Sequence, residues 1–306
     1  MHIDESKELL YYRTHSIFTD PQEYQYLYKD LPISIPDLCD IVHGLIVHRD
    51  GLHPFYNLIL PEQRKNESDT RYIKDILHII HQLDPSSLTN ERTPEKRFIG
   101  SCRDFAILLC SILRTHHIPA RLRCGFASYF RKGLFSDHWI CEYWSDKDRR
   151  WIMVDSEIGK KERAHHNISS NLNHFDLTND EFILSGKAWQ LCRKKKTDPN
   201  LYGVHLIGIK GLWFVRADLL RDYASLNRVE LLPWDYPAFF DKQFEKESEL
   251  KGEELKLLDT VAELTLDVST NYQKIIQIYQ TDTRLHVGNE LKSYTIEGKK
   301  SVRLHT

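Results

Sequence analysis

The chain lacks any run approaching the roughly 18–20 consecutive apolar residues that a membrane-spanning helix needs. It also lacks a C-x-x-C pair. Its six cysteines, at 39, 102, 110, 124, 141 and 192, are widely spaced, which argues against both a zinc site and a disulfide framework. The opening residues, Met1-His2-Ile3-Asp4-Glu5-Ser6-Lys7-Glu8, have neither the basic start nor the apolar core of a signal peptide. An excess of one charge is missing as well. The 42 Lys and Arg against 44 Asp and Glu leave a formal charge of −2, so no nucleic acid and no membrane is expected as a partner. Internal repeats and low-complexity linkers are absent too. These absences imply a cytoplasmic globular protein whose 306 residues suffice for a substantial core.

Three regions are expected, with the first and last as extensions of the middle one. Residues 1–90 read as helical. Pro36 can start a helix carrying Leu38, Ile41, Val42, Leu45 and Ile46, and a second spans about 69–83 until Asp84-Pro85 stops it. Residues 91–160 change character, with a helix over about 102–115 and strands at about 120–127, 137–144 and 150–156. Residues 161–306 return to helix. Thr178-Asn179-Asp180-Glu181 reads as a capping box and predicts a helix over 179–193, ending in the solvated basic run Arg193-Lys194-Lys195-Lys196. Further helices are expected near 213–227, 243–264 and 268–280, and a loosely ordered stretch from about 290.

One cysteine stands in an unusual place. In Gly100-Ser101-Cys102-Arg103-Asp104-Phe105, Ser101 can cap the helix and Asp104 can act as its acidic partner three residues on. Cys102 then falls in the first turn, where free backbone N–H groups and the helix dipole favour a thiolate over a thiol. The same N–H groups can stabilise an oxyanion on an attacked carbonyl. By itself a cysteine at a helix start is more often structural, and Cys110 in the same helix reads as core packing.

A hairpin supplies the partner groups. Asp137-His138-Trp139-Ile140-Cys141-Glu142-Tyr143-Trp144 and Arg149-Arg150-Trp151-Ile152-Met153-Val154-Asp155 flank a polar turn. A two-residue turn at 146–147, or a four-residue turn at 145–148, sets His138 directly opposite Asp155. A carboxylate on one imidazole nitrogen fixes the tautomer and leaves the other nitrogen for a thiol. A bulge or an uneven turn would move this register.

Taken together, Gly100-Ser101-Cys102-Arg103-Asp104-Phe105-Ala106, Leu113-Arg114, Ile118-Pro119-Ala120-Arg121, Gly125-Phe126, Asp137-His138-Trp139 and Trp151-Ile152-Met153-Val154-Asp155 resemble the transglutaminase-like superfamily, specifically bacterial transglutaminase-domain proteins. The resemblance covers about residues 95–160. It implies an α+β fold with a papain-like core, in which the cysteine helix packs on an antiparallel sheet. It also implies catalytic roles for Cys102 as nucleophile, His138 as general base and then acid, and Asp155 as the group that orients the imidazole. The peptide N-glycanase branch commonly carries zinc-binding C-x-x-C pairs, which are absent here. Animal transglutaminases are longer and calcium-regulated, and no calcium loop is apparent.

Trp139, Arg103 and Glu157 are the candidate substrate contacts, each with a structural role as its competitor: core packing for Trp139 and support of the helix start for Arg103. Arg121 and Arg123 share a strand face and could meet Glu142 or bind a substrate carboxylate, with the structural role expected. His78 and His81, and the adjacent His165 and His166, lack a carboxylate or cysteine to complete a ligand set, so no metal and no cofactor is expected. The expected reaction is acyl transfer from a peptide, protein or small amide, with hydrolysis slightly favoured over amine transfer. The competing expectation is a catalytically silent interaction module of the same fold.

Overall fold

The computed structural model describes residues 6–59, 61–237 and 252–305. The chain is α+β and divides into two units, each discontinuous in sequence. Unit 1 comprises Met1–Leu122 and Ile140–Leu177, and unit 2 comprises Arg123–Trp139 and Thr178–Thr306.

In unit 1, prolines and polar caps break the first hundred residues into short elements. Helix α1 (Lys7–Arg13) starts at Ser6, whose hydroxyl accepts the Leu9 N–H. Helix α2 (Ile35–Leu45) has Pro36 in its first turn, where a missing N–H costs nothing. Strand β1 (Ile46–His48), helix α3 (Leu52–Tyr56), helix α4 (Ile73–Leu83) and strand β2 (Phe98–Gly100) follow. β1 and β2 pair in parallel, Val47 against Ile99. This contact between segments fifty residues apart has no local signature in the sequence.

Helix α5 (Cys102–Thr115) is buried from Cys102 through Arg114, as a helix apolar on nearly every side must be. It packs against α1, α2, α4 and the β1–β2 pair. Its polar side chains find partners: Ser111 Oγ donates to the Thr19 carbonyl at 2.7 Å, and Arg114 Nε donates to the Ala120 carbonyl at 2.9 Å. The helix ends with His117 in the left-handed region (φ 60°), the Ile118 N–H returning to Leu113 and the His117 N–H to Arg114. His117 is exposed, so His117→Gly should stabilise the protein by about 0.5–1 kcal/mol, read as a raised denaturation midpoint.

Strands β3 (Ala120–Ala127), β4 (Phe135–Ser145) and β5 (Arg150–Val154) come next, and β3 and β4 each run from one unit into the other. Helix α6 (Lys160–His166) closes unit 1. Within that unit, Arg121 of β3 donates to Glu142 at 2.6 Å and to Glu8 at 2.8 Å, with its guanidinium 3.7 Å from the Trp151 ring centroid. The arginine ties the first helix to the hairpin, which answers its expected meeting with Glu142.

Unit 2 adds β6 (Phe182–Leu184), α7 (Ser185–Arg193), β7 (Tyr202–Val204), β8 (Ile209–Lys210), α8 (Leu212–Leu226), β9 (Asp235–Pro237), α9 (Glu253–Leu264), α10 (Val268–Thr281), β10 (Glu290–Thr295) and β11 (Gly298–Arg303). β6 runs antiparallel to β3, β7 parallel to β4, and β7 antiparallel to β8. Two expectations change here, and a third is met in the part that is described. The Thr178 and Glu181 side chains do make reciprocal capping bonds, but the chain then extends as β6 and the helix begins only at Ser185. Gly125 permits this, because a Cβ there would lie 2.5 Å from the Ile183 carbonyl oxygen. The stretch from 290 is a hairpin, β10 against β11, and β9 joins its edge. Of the helix expected over 243–264, residues 253–264 form α9 and residues 243–251 lie outside the described residues.

Candidate active site

The start of α5 is built as the sequence suggests. The Ser101 N–H and hydroxyl both donate to Asp104, at 2.8 and 3.1 Å. The Arg103 guanidinium donates to the other Asp104 oxygen at 3.1 Å and to the Arg71 carbonyl at 2.7 Å. Arg103 and Asp104 are wholly buried. Burial pushes the Asp104 carboxyl above its ordinary range, and Arg103 and Ser101 pull it back only in part. Gly100 makes room for this arrangement, since a Cβ there would sit 3.0 Å from the Asp104 side chain. Cys102 is the first residue of the helix, at the edge of burial with 9% exposure.

The hairpin forms, with a register two residues away from the expected one. Cys141 pairs with Val154, Glu142 with Met153 and Ser145 with Arg150. The turn is 146–149, closed by the Arg149 N–H on the Ser145 carbonyl with Arg149 in the left-handed region (φ 55°). Carried beyond the last pair, this register sets Asp155 opposite Ile140. A shift of two preserves the face, so Asp155 keeps the side of the ladder it was expected to occupy. Asp155 itself lies just past β5. Its N–H donates to the His174 carbonyl, and its Oδ1 accepts the Glu157 N–H at 2.9 Å in an Asx turn. Asp155 and Glu157 are both buried. In unit 1, then, the fold provides a helix-start cysteine and a carboxylate held in a fixed turn.

His138 belongs to unit 2 and is 2% exposed. Aromatic rings surround it there: Phe130 edge-on at 4.9 Å, Tyr129 at 6.3 Å and Phe182 at 6.4 Å between centroids. Trp139 is 1% exposed, and its Nε1 has no hydrogen-bond acceptor among the described residues.

Four of the other cysteines are chemically quiet. Burial pushes the thiols of Cys39, Cys124 and Cys141 well up, and that of Cys192 to about 11. Cys110 and Cys141 lie side by side between α5 and β4, as core packing requires.

Unit 2 also holds a cluster that the sequence reading passed over. Donor atoms of Cys124, Asp137 and Asp218 lie within 4.8 Å of one another, and Arg221 Nη1 donates to Asp218 Oδ1 at 2.7 Å. Next to it, Arg123 makes a two-pronged pair with Asp222 at 2.9 Å and also donates to the Thr265 carbonyl. The available signal was in α8, where Arg216, Asp218, Arg221 and Asp222 interrupt a largely apolar, buried helix.

Residues 70–156 match the model of the Transglutaminase-like superfamily. Among curated proteins, none matches the chain. One solved structure similar to it is described as "a Putative Cysteine Protease from Cytophaga hutchinsonii", at 18% identity with a TM-score of 0.33. That similarity covers 51% of this chain and 44% of the other, so the chain spans less than half the length of that protein. Among the described residues no helix is long and apolar enough to cross a membrane.

Proposed function

From a segment, residues 70–156, that matches the Transglutaminase-like superfamily, we propose that the chain is a cysteine enzyme that transfers acyl groups from amides. Cys102 is the nucleophile, His138 the general base and acid, and Asp155 the carboxylate that orients the imidazole. The observation that carries this reading is the position of Cys102, first in a fourteen-residue helix whose start is fixed by Ser101, Asp104 and Arg103. The backbone N–H groups and the positive dipole end at that helix start favour negative charge on sulfur before attack and on oxygen after it.

The chemistry runs in two halves. His138 accepts the thiol proton, and the Cys102 sulfur attacks the carbonyl carbon of a carboxamide or peptide bond. The tetrahedral adduct collapses as the imidazolium returns that proton to the leaving nitrogen, leaving a thioester. Water then attacks the thioester, losing a proton to His138, and releases the acid with the thiol restored. An amine in place of water would give a transamidated product instead. Hydrolysis is the reading favoured here, on a peptide, protein or small amide. Trp139 and Glu157, which flank His138 and Asp155 in sequence, are the proposed substrate contacts, and Arg103 supports the helix start.

The other cysteines provide an internal standard. With iodoacetamide near pH 7 and peptide-level mass spectrometry, Cys102 should be alkylated at least about 10-fold faster than Cys39, Cys124, Cys141 or Cys192, whose thiols burial holds in the neutral form. His138→Ala should remove most of that advantage. Equal labelling of all these cysteines, with no effect of His138→Ala, would leave a catalytically silent interaction module as the better description.

A further inference from the structure

The Asp137–Asp218 cluster is not used in the reaction above, yet it borders His138 in sequence and lies inside the same unit. Its groups come from four elements of unit 2: Cys124 on β3, Asp137 on β4, Asp218 and Arg221 on α8, and Tyr236 on β9, whose ring the Arg221 guanidinium covers at 4.7 Å. Asp218, Arg221 and Cys124 are essentially unexposed, and Asp137 is half-buried with its Oδ1 sealed from solvent. The Arg123–Asp222 pair lies alongside, Asp222 Oδ1 also accepting the Cys124 N–H at 2.9 Å.

The donors do not match the acceptors. Asp218 Oδ1 takes its bond from Arg221, but Asp218 Oδ2 and Asp137 Oδ1 have no donor among the described residues. Two ionised carboxylates this close repel each other in a dry site, and the one guanidinium balances only one of them. A single proton between the carboxyls removes the repulsion and supplies the missing hydrogen bond. Burial and then the neighbouring Asp137 push Asp218 up, against the pull of Arg221 and the Cys124 thiol, and burial pushes Asp137 up against the pull of Arg221, His138 and Asp218.

We propose that Asp137 and Asp218 form a one-proton acid pair, with the proton carried by Asp137 and donated to an Asp218 carboxylate that Arg221 holds ionised. The pair ties the strand position before His138 to α8 without placing a second negative charge beside the imidazole. Asp137 is thus a positioning residue, and its bearing on catalysis rests on the reading of His138 given above. A cation would be the other way to neutralise the carboxylates, and Arg221 on Asp218 Oδ1 already supplies one positive charge there.

The assignment is asymmetric, and so is its test. Asp137→Asn reproduces the protonated acid, because its amide N–H₂ can donate to Asp218. Asp218→Asn turns an N–H₂ group or a neutral oxygen toward Arg221. On the full chain at pH 7, Asp137→Asn should leave hydrogen exchange of the α8 amides within about 2-fold of the native rate, while Asp218→Asn should speed it by about 10-fold or more. The infrared difference spectrum should show a protonated-carboxyl C=O band in the native chain that either substitution removes. The pH dependence follows from linkage. A carboxyl raised in the folded state binds its proton more tightly than in the unfolded chain, so the stability it confers is full below the ordinary carboxylate range and is lost as pH rises through the folded value. Asp137→Asn should flatten that decline. In an NMR titration, Asp137→Asn should move the His138 midpoint by less than about 0.3 pH unit, since no charge is removed; a drop of about 1 unit would mean that Asp137 is ionised. That result would overturn the pair, as would a missing carboxyl band, equal damage from both substitutions, or stoichiometric zinc uptake abolished by Cys124→Ser. None of these readouts depends on whether Cys102 is catalytic.

Discussion

Amide turnover falls by about 10⁴-fold or more when Cys102 is replaced by alanine, and by a similar factor for His138→Ala. The measurement is the initial rate of ammonia or amine release from glutamine-containing peptides and small primary amides. Without the sulfur there is no thioester. Without the imidazole, the thiol keeps its proton and the leaving nitrogen has no acid. Because the two act as a unit, the double substitution should be no worse than either alone. Asp155→Asn should cost about 10²–10⁴-fold, since it leaves the nucleophile and base but loosens the tautomer and orientation of the ring. Losses that multiply in the double variant, or turnover that survives Cys102→Ala, would remove the triad from consideration.

The second large effect is on folding. Asp104→Ala should destabilise unit 1 by about 3–5 kcal/mol. It removes the acceptor of two Ser101 hydrogen bonds and takes the Asp104 carboxylate away from the buried Arg103 guanidinium. Because the chain has two units, one unfolding midpoint would blend them, and hydrogen exchange of the α5 amides is the sharper measurement. A compensated double change, Arg103→Met with Asp104→Leu, should recover much of the loss, because apolar groups of similar size carry no desolvation penalty. If Asp104→Ala leaves α5 protection unchanged, the buried pair does not anchor the helix start.

The parts of this fold that were legible in the sequence are those with local causes. Helix α5 starts and stops where Ser101 and the His117 turn dictate, and Pro36 and Asp84 bound their helices as proline and turn chemistry require. The hairpin was legible as a hairpin, but its register was set by Arg149 adopting a left-handed conformation that arginine gives no reason to expect. The stretch at Phe182–Leu184 shows the other kind of failure. Its upstream capping bonds are real, and the strand won because Gly125 on β3 offers an open backbone to pair with. At the site, Cys102 was visible from its own neighbours. Asp218 and Arg221 lie some eighty residues beyond Asp137, and only the packing of α8 shows that they meet it.

The interrupted course of unit 1 sets a timetable for synthesis. Its first segment ends at Leu122, but the strands and turn that complete it, β5 and the stretch to Leu177, arrive only after the seventeen residues of unit 2 at Arg123–Trp139. Helix α5, apolar almost all round, therefore leaves the ribosome well before all of its cover is available. Until then it is a sticky segment with little reason to be helical. Release of residue 177 is the earliest moment at which unit 1 can close, and unit 2 must wait longer still. A nascent chain stalled after α5 has emerged and before residue 177 has should bind holdase chaperones through α5, and lose that binding once the hairpin has docked.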